Sequence, residues 1–276
     1  MFKKPMLYAA LIAAISSLSL SAQAHRAWFV PATTVLSGDE AWVTVDAAIS
    51  NDIFHADYVA MRLDDIQVTA PDSSTLRLEN SNNGKHRSTF DVHLKQSGTY
   101  RIATASQSLT ARWQTADGEQ QRWPARGTQG TTENFAKQVP RNAKDLQVAF
   151  SSRRIESFVT LGAPSTEVLA VSGRGLELLP ITHPNDLFAG EEAHFQLFID
   201  GKPAVGANVE VVAGGMRYRN SQDTLALTTD KKGQFSVIWP NAGLYWLSAN
   251  YSDNQAQKPA SKRIGSYAVT LEVLPQ

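Results

Sequence analysis

Short runs in which apolar and polar residues alternate recur along most of the chain. The segments Trp42–Ala47 and Phe90–Lys95 each place apolar residues at every second position. A period of two is typical of strands that bury one face and expose the other. Turn signals separate such runs at Asn83-Gly84, Ser97-Gly98, Asp117-Gly118 and Asp200-Gly201. The pattern predicts an all-β protein built from sandwiches rather than from parallel α/β units.

The alternation defines two strand-rich parts, residues 25–115 and residues 174–276. In the second part, strands and turns follow one another from Phe195 to Tyr251 as a meander of immunoglobulin-like character. Glycine, proline, asparagine and aspartate stand where each chain reversal needs them. We therefore predict two immunoglobulin-like β-sandwich domains.

A long, loop-rich connection, residues 116–173, is predicted between the two domains. Alternation stops from Asp117 to Gln147, where glycines and prolines interrupt a polar stretch. Structureless loops of this length are uncommon in compact domains and are often functional or disordered. Within the connection, a short helix is expected near Ala143–Phe150.

The first 24 residues have the features of a secretory signal peptide. Lys3 and Lys4 precede an apolar stretch, and Ala22-Gln23-Ala24 supplies the small residues of a cleavage site. No later segment reaches the roughly 18 consecutive apolar residues of a membrane-spanning helix. We expect a periplasmic mature protein without a transmembrane segment. Cleavage makes His25 its first residue.

The composition removes several classes of function. The 276 residues carry 26 Lys and Arg against 26 Asp and Glu, so the basic surface that nucleic-acid binding requires is missing. The absence of cysteine excludes disulfides, zinc–thiolate sites, iron–sulfur clusters and thiol nucleophiles. The sequence also lacks a G-x-S-x-G elbow, an H-E-x-x-H helix and a glycine-rich phosphate loop.

The new N-terminus is the main candidate for chemistry. A terminal histidine offers the amine nitrogen and Nδ1, which can close a chelate ring on one metal ion. One further imidazole completes a three-nitrogen site of a kind that suits Cu(II), Ni(II) or Co(II). The apolar pair Trp28-Phe29 follows His25 and is expected to anchor the terminus. The alternative is that His25 is an arbitrary first residue of an exported protein.

Two other histidines are candidates for the second imidazole. His55 lies between Asp52 and Asp57, in a segment that gathers an imidazole and two carboxylates. His183 precedes a proline, which favours an extended backbone at the histidine. For both residues a ligand role and an ordinary structural role stay open.

The remaining three histidines lie in simpler contexts. His86 follows a turn and allows either role. His93 and His194 occupy the outward phase of strands, and we interpret them as ordinary surface or pairing residues.

Four segments carry a resemblance to a known family: His25–Pro31, Ser50–Phe54, Thr182–Asp186 and the meander of the second domain. They resemble a bacterial family of exported domains of unknown function that has been labelled as the nickel-uptake component NikM. The resemblance covers nearly the whole mature chain. It implies a periplasmic, all-β protein tied to transition-metal uptake or handling.

The resemblance also implies roles for individual residues. It makes His25 the first metal ligand and His183 the second, with Asp52 and Asp57 as polar support. The implied cofactor is a transition-metal ion, copper, nickel or cobalt. The implied partner is a membrane metal-transport component.

The leading hypothesis is a periplasmic metal-binding accessory rather than an enzyme. The enzymatic alternative is a copper-dependent oxidase of the lytic polysaccharide monooxygenase type, since those enzymes also expose a mature N-terminal histidine on a β-sandwich. A third hypothesis treats the immunoglobulin-like meander as a structural or adhesion module, because one fold can serve many functions.

Overall fold

The computed structural model describes residues 25–125 and 127–276. The predicted signal peptide, residues 1–24, lies outside the described residues. The described chain is mostly β-structure, with three sheets and one short α-helix, so the prediction of an all-β protein is confirmed. No helix in these two ranges combines the length and apolar character needed to cross a membrane.

Nineteen strands follow one another along the described chain. The first ten are β1 (Arg26–Pro31), β2 (Val35–Leu36), β3 (Ala41–Ser50), β4 (Val59–Ala60), β5 (Gln67–Thr69), β6 (Thr75–Leu76), β7 (Glu79–Asn83), β8 (Ser88–Leu94), β9 (Gly98–Gln114) and β10 (Gln120–Trp123). Helix α1 (Thr132–Gln138) follows. The others are β11 (Lys144–Leu161), β12 (Leu176–Pro180), β13 (Glu192–Ile199), β14 (Lys202–Pro203), β15 (Asn208–Ala213), β16 (Leu225–Thr228), β17 (Gln234–Ile238), β18 (Gly243–Asp253) and β19 (Lys262–Val273).

The strands form a large central sheet and two smaller outer sheets. The central sheet has the order β16-β15-β18-β19-β11-β9-β5-β6, with β10 beside β9 and β2 beside β11. The outer sheet that we call the N-sheet contains β1, β3, β4, β7 and β8. The other, the C-sheet, contains β12, β13, β14 and β17.

The two outer sheets pack on opposite faces of the central sheet. Phe158 of β11 belongs to the core shared with the C-sheet, whereas its neighbour Val159 belongs to the core shared with the N-sheet. Successive strand residues point to opposite faces, so the two sandwiches share the central sheet. Both faces are covered, and every residue of β11 from Ile155 to Leu161 is buried.

Polar residues of β11 are paired inside this arrangement. Arg154 forms ion pairs with Glu156 at 3.0 Å and with Glu177 of the C-sheet at 3.1 Å. The Tyr267 hydroxyl donates a 2.8 Å hydrogen bond to Glu156. Burial, followed by the adjacent Glu156 carboxylate, raises the pKa of Tyr267 well above its ordinary value. These contacts tie the C-sheet to the central sheet.

The predicted loop-rich connection holds more regular structure than the sequence indicates. Residues 116–173 contain β10, α1 and the whole of the longest strand, β11. The segment Ala143–Phe150, expected to be helical, is largely strand, and the helix lies earlier in the chain. The physical reason is a period of two in Leu146, Val148 and Phe150, which pack in one cluster with Trp123.

Candidate functional site

His25 lies at the surface, immediately before β1. Its imidazole stacks on the ring of Tyr58, with the ring centroids 3.8 Å apart and the planes inclined by 7°. Tyr58 is itself 44% exposed. Within the described residues, stacking rather than hydrogen bonding therefore holds the His25 ring.

Strand β1 is fixed on both of its faces. Phe29 is fully buried in the core of the N-sheet, and Trp28 packs with Trp246 of the central sheet. The Trp28 Nε1–H donates to Ser50 Oγ at 2.7 Å, and the Trp246 Nε1–H donates to the carbonyl oxygen of Ala27 at 3.1 Å. The strand that follows His25 is therefore anchored, as the Trp28-Phe29 pair led us to expect.

Arg26 ties the start of β1 to the C-terminal half of the chain. Its guanidinium carbon lies 5.4 Å from the centre of the Trp246 ring, over the ring face. Its Nη2–H donates to Gln222 Oε1 at 2.8 Å, and its Nη1 lies 3.9 Å from Met216 Sδ. A cation over an indole face is attracted by the ring quadrupole. The backbone position of His25 is thus set by both halves of the molecule.

The loop of residues 51–58 lies beside His25 because Arg26 pairs with Ser50 at the end of β3. The loop is closed by its own hydrogen bonds. Asp57 Oδ1 accepts from the backbone N–H of Asn51 at 2.9 Å. The carboxylate of Asp57 therefore serves the shape of the loop.

The predicted site residues Asp52 and His55 lie in the same loop. The carbonyl oxygen of Asp52 accepts from Ser50 Oγ at 2.6 Å and from the backbone N–H of His55 at 3.3 Å. The His55 Nδ1 lies 3.5 Å from Arg217 Nη1. A permanent positive charge beside this ring opposes a second cation there.

His86 also lies beside this loop, although the sequence left its role open. Its Nδ1 is 3.0 Å from the carbonyl oxygen of Tyr58, the residue that stacks on His25. A carbonyl oxygen only accepts, so this contact assigns the proton to Nδ1 and leaves the lone pair on Nε2. Ligand histidines are commonly oriented in this way. A contact between two loops that are distant in sequence leaves no local signal.

His183 has a different environment. It is half-buried, and its Nε2 lies 2.9 Å from Thr99 Oγ1 and 3.1 Å from the carbonyl oxygen of Ser165. Its Nδ1 accepts from the backbone N–H of Asn185 at 3.2 Å. Because Nδ1 accepts, the proton lies on Nε2 and is donated to Ser165. Both ring nitrogens are therefore engaged within the protein.

The surroundings of His183 favour its neutral form. Burial lowers the pKa of His183 from its ordinary value. The hydrogen bond to the Ser165 carbonyl and the charge of Asp186 oppose that shift without cancelling it. A neutral ring agrees with the hydrogen bond that Nδ1 accepts, since an imidazolium has no acceptor.

The structure does not bring His183 to His25. His183 contacts Thr99, which pairs with Thr160, and Thr160 donates its backbone N–H to Thr34 beyond the end of β1. Strand β1 has six residues, so at about 3.3 Å per residue its two ends lie roughly 16 Å apart. Two nitrogens on one ion lie within about 4 Å of each other. The two histidines therefore stand at opposite ends of β1.

Two further histidines, His55 and His86, lie in this region near His25. In the described ranges, no three side chains from histidine, cysteine, aspartate and glutamate lie close enough together to hold a metal ion. A site that uses a terminal amine, the Nδ1 of the same residue and one more imidazole needs only two histidines. His86 shares the neighbour Tyr58 with His25, and His55 lies in the loop that contains Tyr58.

Solved structures that match the chain are distant in sequence. The D0-D1 domain of intimin is 10% identical, with a TM-score of 0.23, over 89% of this chain and 97% of that chain. The chicken CNTN1 FN1–FN3 domains are 7% identical, with a TM-score of 0.24, over 91% and 99%. A DUF4785 family protein from Legionella pneumophila is 7% identical, with a TM-score of 0.24, over 80% and 50%. No curated protein matches the chain.

A family model covers most of the sequence. It matches residues 22–253, from three residues before the described region to the last residue of β18. The match includes His25, the loop of residues 51–58 and the meander of the second half. The chain therefore belongs to the DUF4198 family, a domain of unknown function.

Proposed function

We propose that this member of the DUF4198 family is a periplasmic transition-metal-binding protein that serves metal uptake or handling. The metal ion is its cargo, and copper, nickel and cobalt are the candidates because the donors are nitrogens. The observation that carries the proposal is the placement of His25. It is exposed, stacked on Tyr58 and followed by a strand that both halves of the molecule hold.

The proposed donors are the terminal amine and Nδ1 of His25 together with one imidazole. His86 is the best placed third donor, because it shares Tyr58 with His25 and its Nε2 lone pair is free of the Tyr58 contact. His55 ranks second because Arg217 stands beside it. His183 ranks last because its neighbours use both of its nitrogens.

Tyr58 has a positioning role in this proposal. It covers one face of the His25 ring and limits the orientations that the imidazole can take. An N-terminal residue is otherwise free to fray, and ordering it on binding costs entropy. A terminus that is ordered beforehand binds its ion more tightly for the same donors.

Delivery of the ion to a membrane metal-transport component is the finer part of the proposal. It is supported by the resemblance to the family labelled NikM and by the exposure of His25. Export is supported by the signal-peptide features of residues 1–24. An ion at the surface can be passed directly to a partner.

Calorimetric titration of Cu(II) and of Ni(II) into the mature protein tests the metal site. We expect one ion per chain and a loss of affinity of at least about a hundredfold in His25→Ala, which is roughly 2.7 kcal/mol. His86→Ala should lose about tenfold or more, and the matched surface control His194→Ala should bind like the parent. A His25→Ala protein that binds as tightly as the parent would overturn the proposal.

A turnover measurement separates the binding protein from the oxidase. The copper-loaded protein is incubated with a reductant, hydrogen peroxide and a polysaccharide, and peroxide consumption is followed. We expect the metal to be retained without peroxide consumption above that of His25→Ala. Consumption that depends on His25 and on the polysaccharide would replace the binding role by the enzymatic one.

A further inference from the structure

An apolar groove of about 800 Å³ opens at the side of the molecule where the central sheet and the C-sheet part. Its walls come from both sheets and from the turns beside them. The lining includes Leu225 of β16, Val237 and Ile238 of β17, Leu244 of β18 and Phe54. The volume lies within the range of ligand-binding clefts.

Two edge strands border this groove. In the described chain, β16 pairs only with β15, and β17 pairs only with β13. Each therefore has a row of backbone N–H and C=O groups without a strand partner. Such a row is a template for pairing with another extended chain.

The sequence of these edges does not block pairing. Strand β16 reads Leu-Ala-Leu-Thr and β17 reads Gln-Phe-Ser-Val-Ile, and neither contains a charge or a proline. Other edges of the molecule are different: β7 is wholly polar and carries a register irregularity, and β14 is Lys-Pro. Charge, proline and bulges are the usual protection of an edge, so the groove edges are the unprotected ones in this comparison.

Large apolar side chains are exposed at both edges. Ile238 is 62% exposed and Leu225 is 41% exposed, and both line the groove. Exposed apolar side chains that gather around a concavity mark interaction sites more often than scattered ones do.

The charge of the groove indicates what kind of chain fits. Among the described residues, the charged lining residues are Arg219 and Asp223, whose Nε and Oδ2 atoms lie 3.6 Å apart. Arg219 also donates to the carbonyl oxygens of Gly214 at 2.6 Å and Ala213 at 2.9 Å. The lining is electrically neutral, so it complements an uncharged apolar segment rather than an anionic one.

We propose that this groove binds an extended, uncharged segment of a partner polypeptide, which adds a strand to β16 or to β17. Main-chain hydrogen bonds to the open edge supply affinity, and the apolar lining selects alternate side chains. The proposal uses none of the proposed metal donors, so its failure and the failure of the metal site are distinguishable.

Panning a phage-displayed library of short random peptides against the mature protein tests the proposal. We expect enriched peptides with alternating apolar residues and no net charge. Hydrogen exchange with a synthetic copy of the best peptide should show new protection of amides in β16 or β17. Enrichment of no peptide, or protection confined to other strands, would overturn the proposal.

Two matched variants locate the binding. Ile238→Lys puts a charge into the groove, and the residue is exposed enough for the fold to tolerate it; the peptide should bind at least about tenfold more weakly. Ile181→Lys alters an isoleucine that is 53% exposed and lies outside the groove, so binding should stay at the parental level. Equal binding to the parent and to Ile238→Lys would contradict strand addition at this site. A groove that takes oleate but no peptide would be a small-molecule pocket and would also overturn it.

Discussion

At the first end of strand β1, His25 is exposed and held by a stacked tyrosine, whereas beyond the other end His183 is half-buried and hydrogen-bonded through both ring nitrogens. Among the described residues, the His25 ring therefore makes no hydrogen bond, whereas the His183 ring uses both of its nitrogens. The difference lies in the neighbours that the sheets bring together. An imidazole can serve a metal ion only where the protein does not already use its nitrogens.

Replacing two tryptophans separates effects on stability from effects on metal binding at His25. Trp239 is fully buried in the core of the C-sheet, whereas Trp246 packs under β1 and donates to Ala27. Trp239→Ala and Trp246→Ala should each lower the free energy of unfolding by about 3–5 kcal/mol in urea denaturation. Only Trp246→Ala should also weaken Cu(II) binding, because Trp246 positions the residues after His25. Equal Cu(II) affinities in the two variants would show that this packing does not position the terminus.

Removing His183 should lower the free energy of unfolding and leave metal binding unchanged. His183→Ala leaves the Ser165 carbonyl and the Asn185 N–H without their partner. Unpaired groups of this kind cost about 1–3 kcal/mol, measurable as a lower free energy of unfolding. His194→Ala, at an exposed histidine, should stay within about 0.5 kcal/mol of the parent. A His183→Ala protein that keeps full stability but no longer binds Cu(II) would make His183 a metal ligand and contradict its structural role.

Acid should lower the free energy of unfolding through His183. The pKa of His183 is lowered in the folded state by burial, so the unfolded chain binds more protons at mildly acidic pH. The contribution of the neutral ring is complete above the unfolded value of about 6.5 and is lost as the pH falls through the folded value. Urea denaturation from pH 8 to pH 5 should therefore show a decline in stability that His183→Gln reduces. An unchanged pH profile in His183→Gln would show that other groups cause the decline.

The smallest effect concerns the ring that covers His25. Tyr58→Ala removes the stacked partner but no proposed ligand. Stacking of this kind is worth about 0.5–1.5 kcal/mol, so Cu(II) affinity should fall by roughly two- to tenfold. Tyr58→Phe keeps the ring and should bind like the parent. A Tyr58→Phe protein as weak as Tyr58→Ala would assign the effect to the hydroxyl instead of to stacking.

The half-buried strands are the part of the fold that the sequence predicts. The segment Trp42–Ala47 lies within β3, and most of Phe90–Lys95 lies within β8. Both strands bury one face more deeply than the other. Strand β11 was missed as a whole. Its first part keeps a period of two, but polar residues and turn signals surround it, whereas its second part, Ile155–Leu161, is covered on both faces and loses the polar alternation that marks a strand. The partly buried Arg154 and the buried Glu156 add charges that a sequence pattern assigns to a surface.

The candidate site also has one feature that the sequence predicts and others that only the structure shows. The anchoring of β1 by Trp28 and Phe29 follows from their apolar character and their position shortly after His25. The engagement of His183 and the approach of His86 to Tyr58 depend on loops that meet only after the sheets have formed. No spacing along the chain encodes those contacts, so they became visible only in three dimensions.

Native mass spectrometry of the protein purified from the periplasm tests the central claim most directly, because one spectrum reports both the first residue and the bound metal. The account predicts a chain that begins at His25 and carries one copper, nickel or cobalt ion, released on acidification because imidazole and amine bind metal only when unprotonated. A mature chain that retains Ala24 or lacks His25, or one that begins at His25 and takes up no ion when Cu(II) or Ni(II) is added, would contradict it.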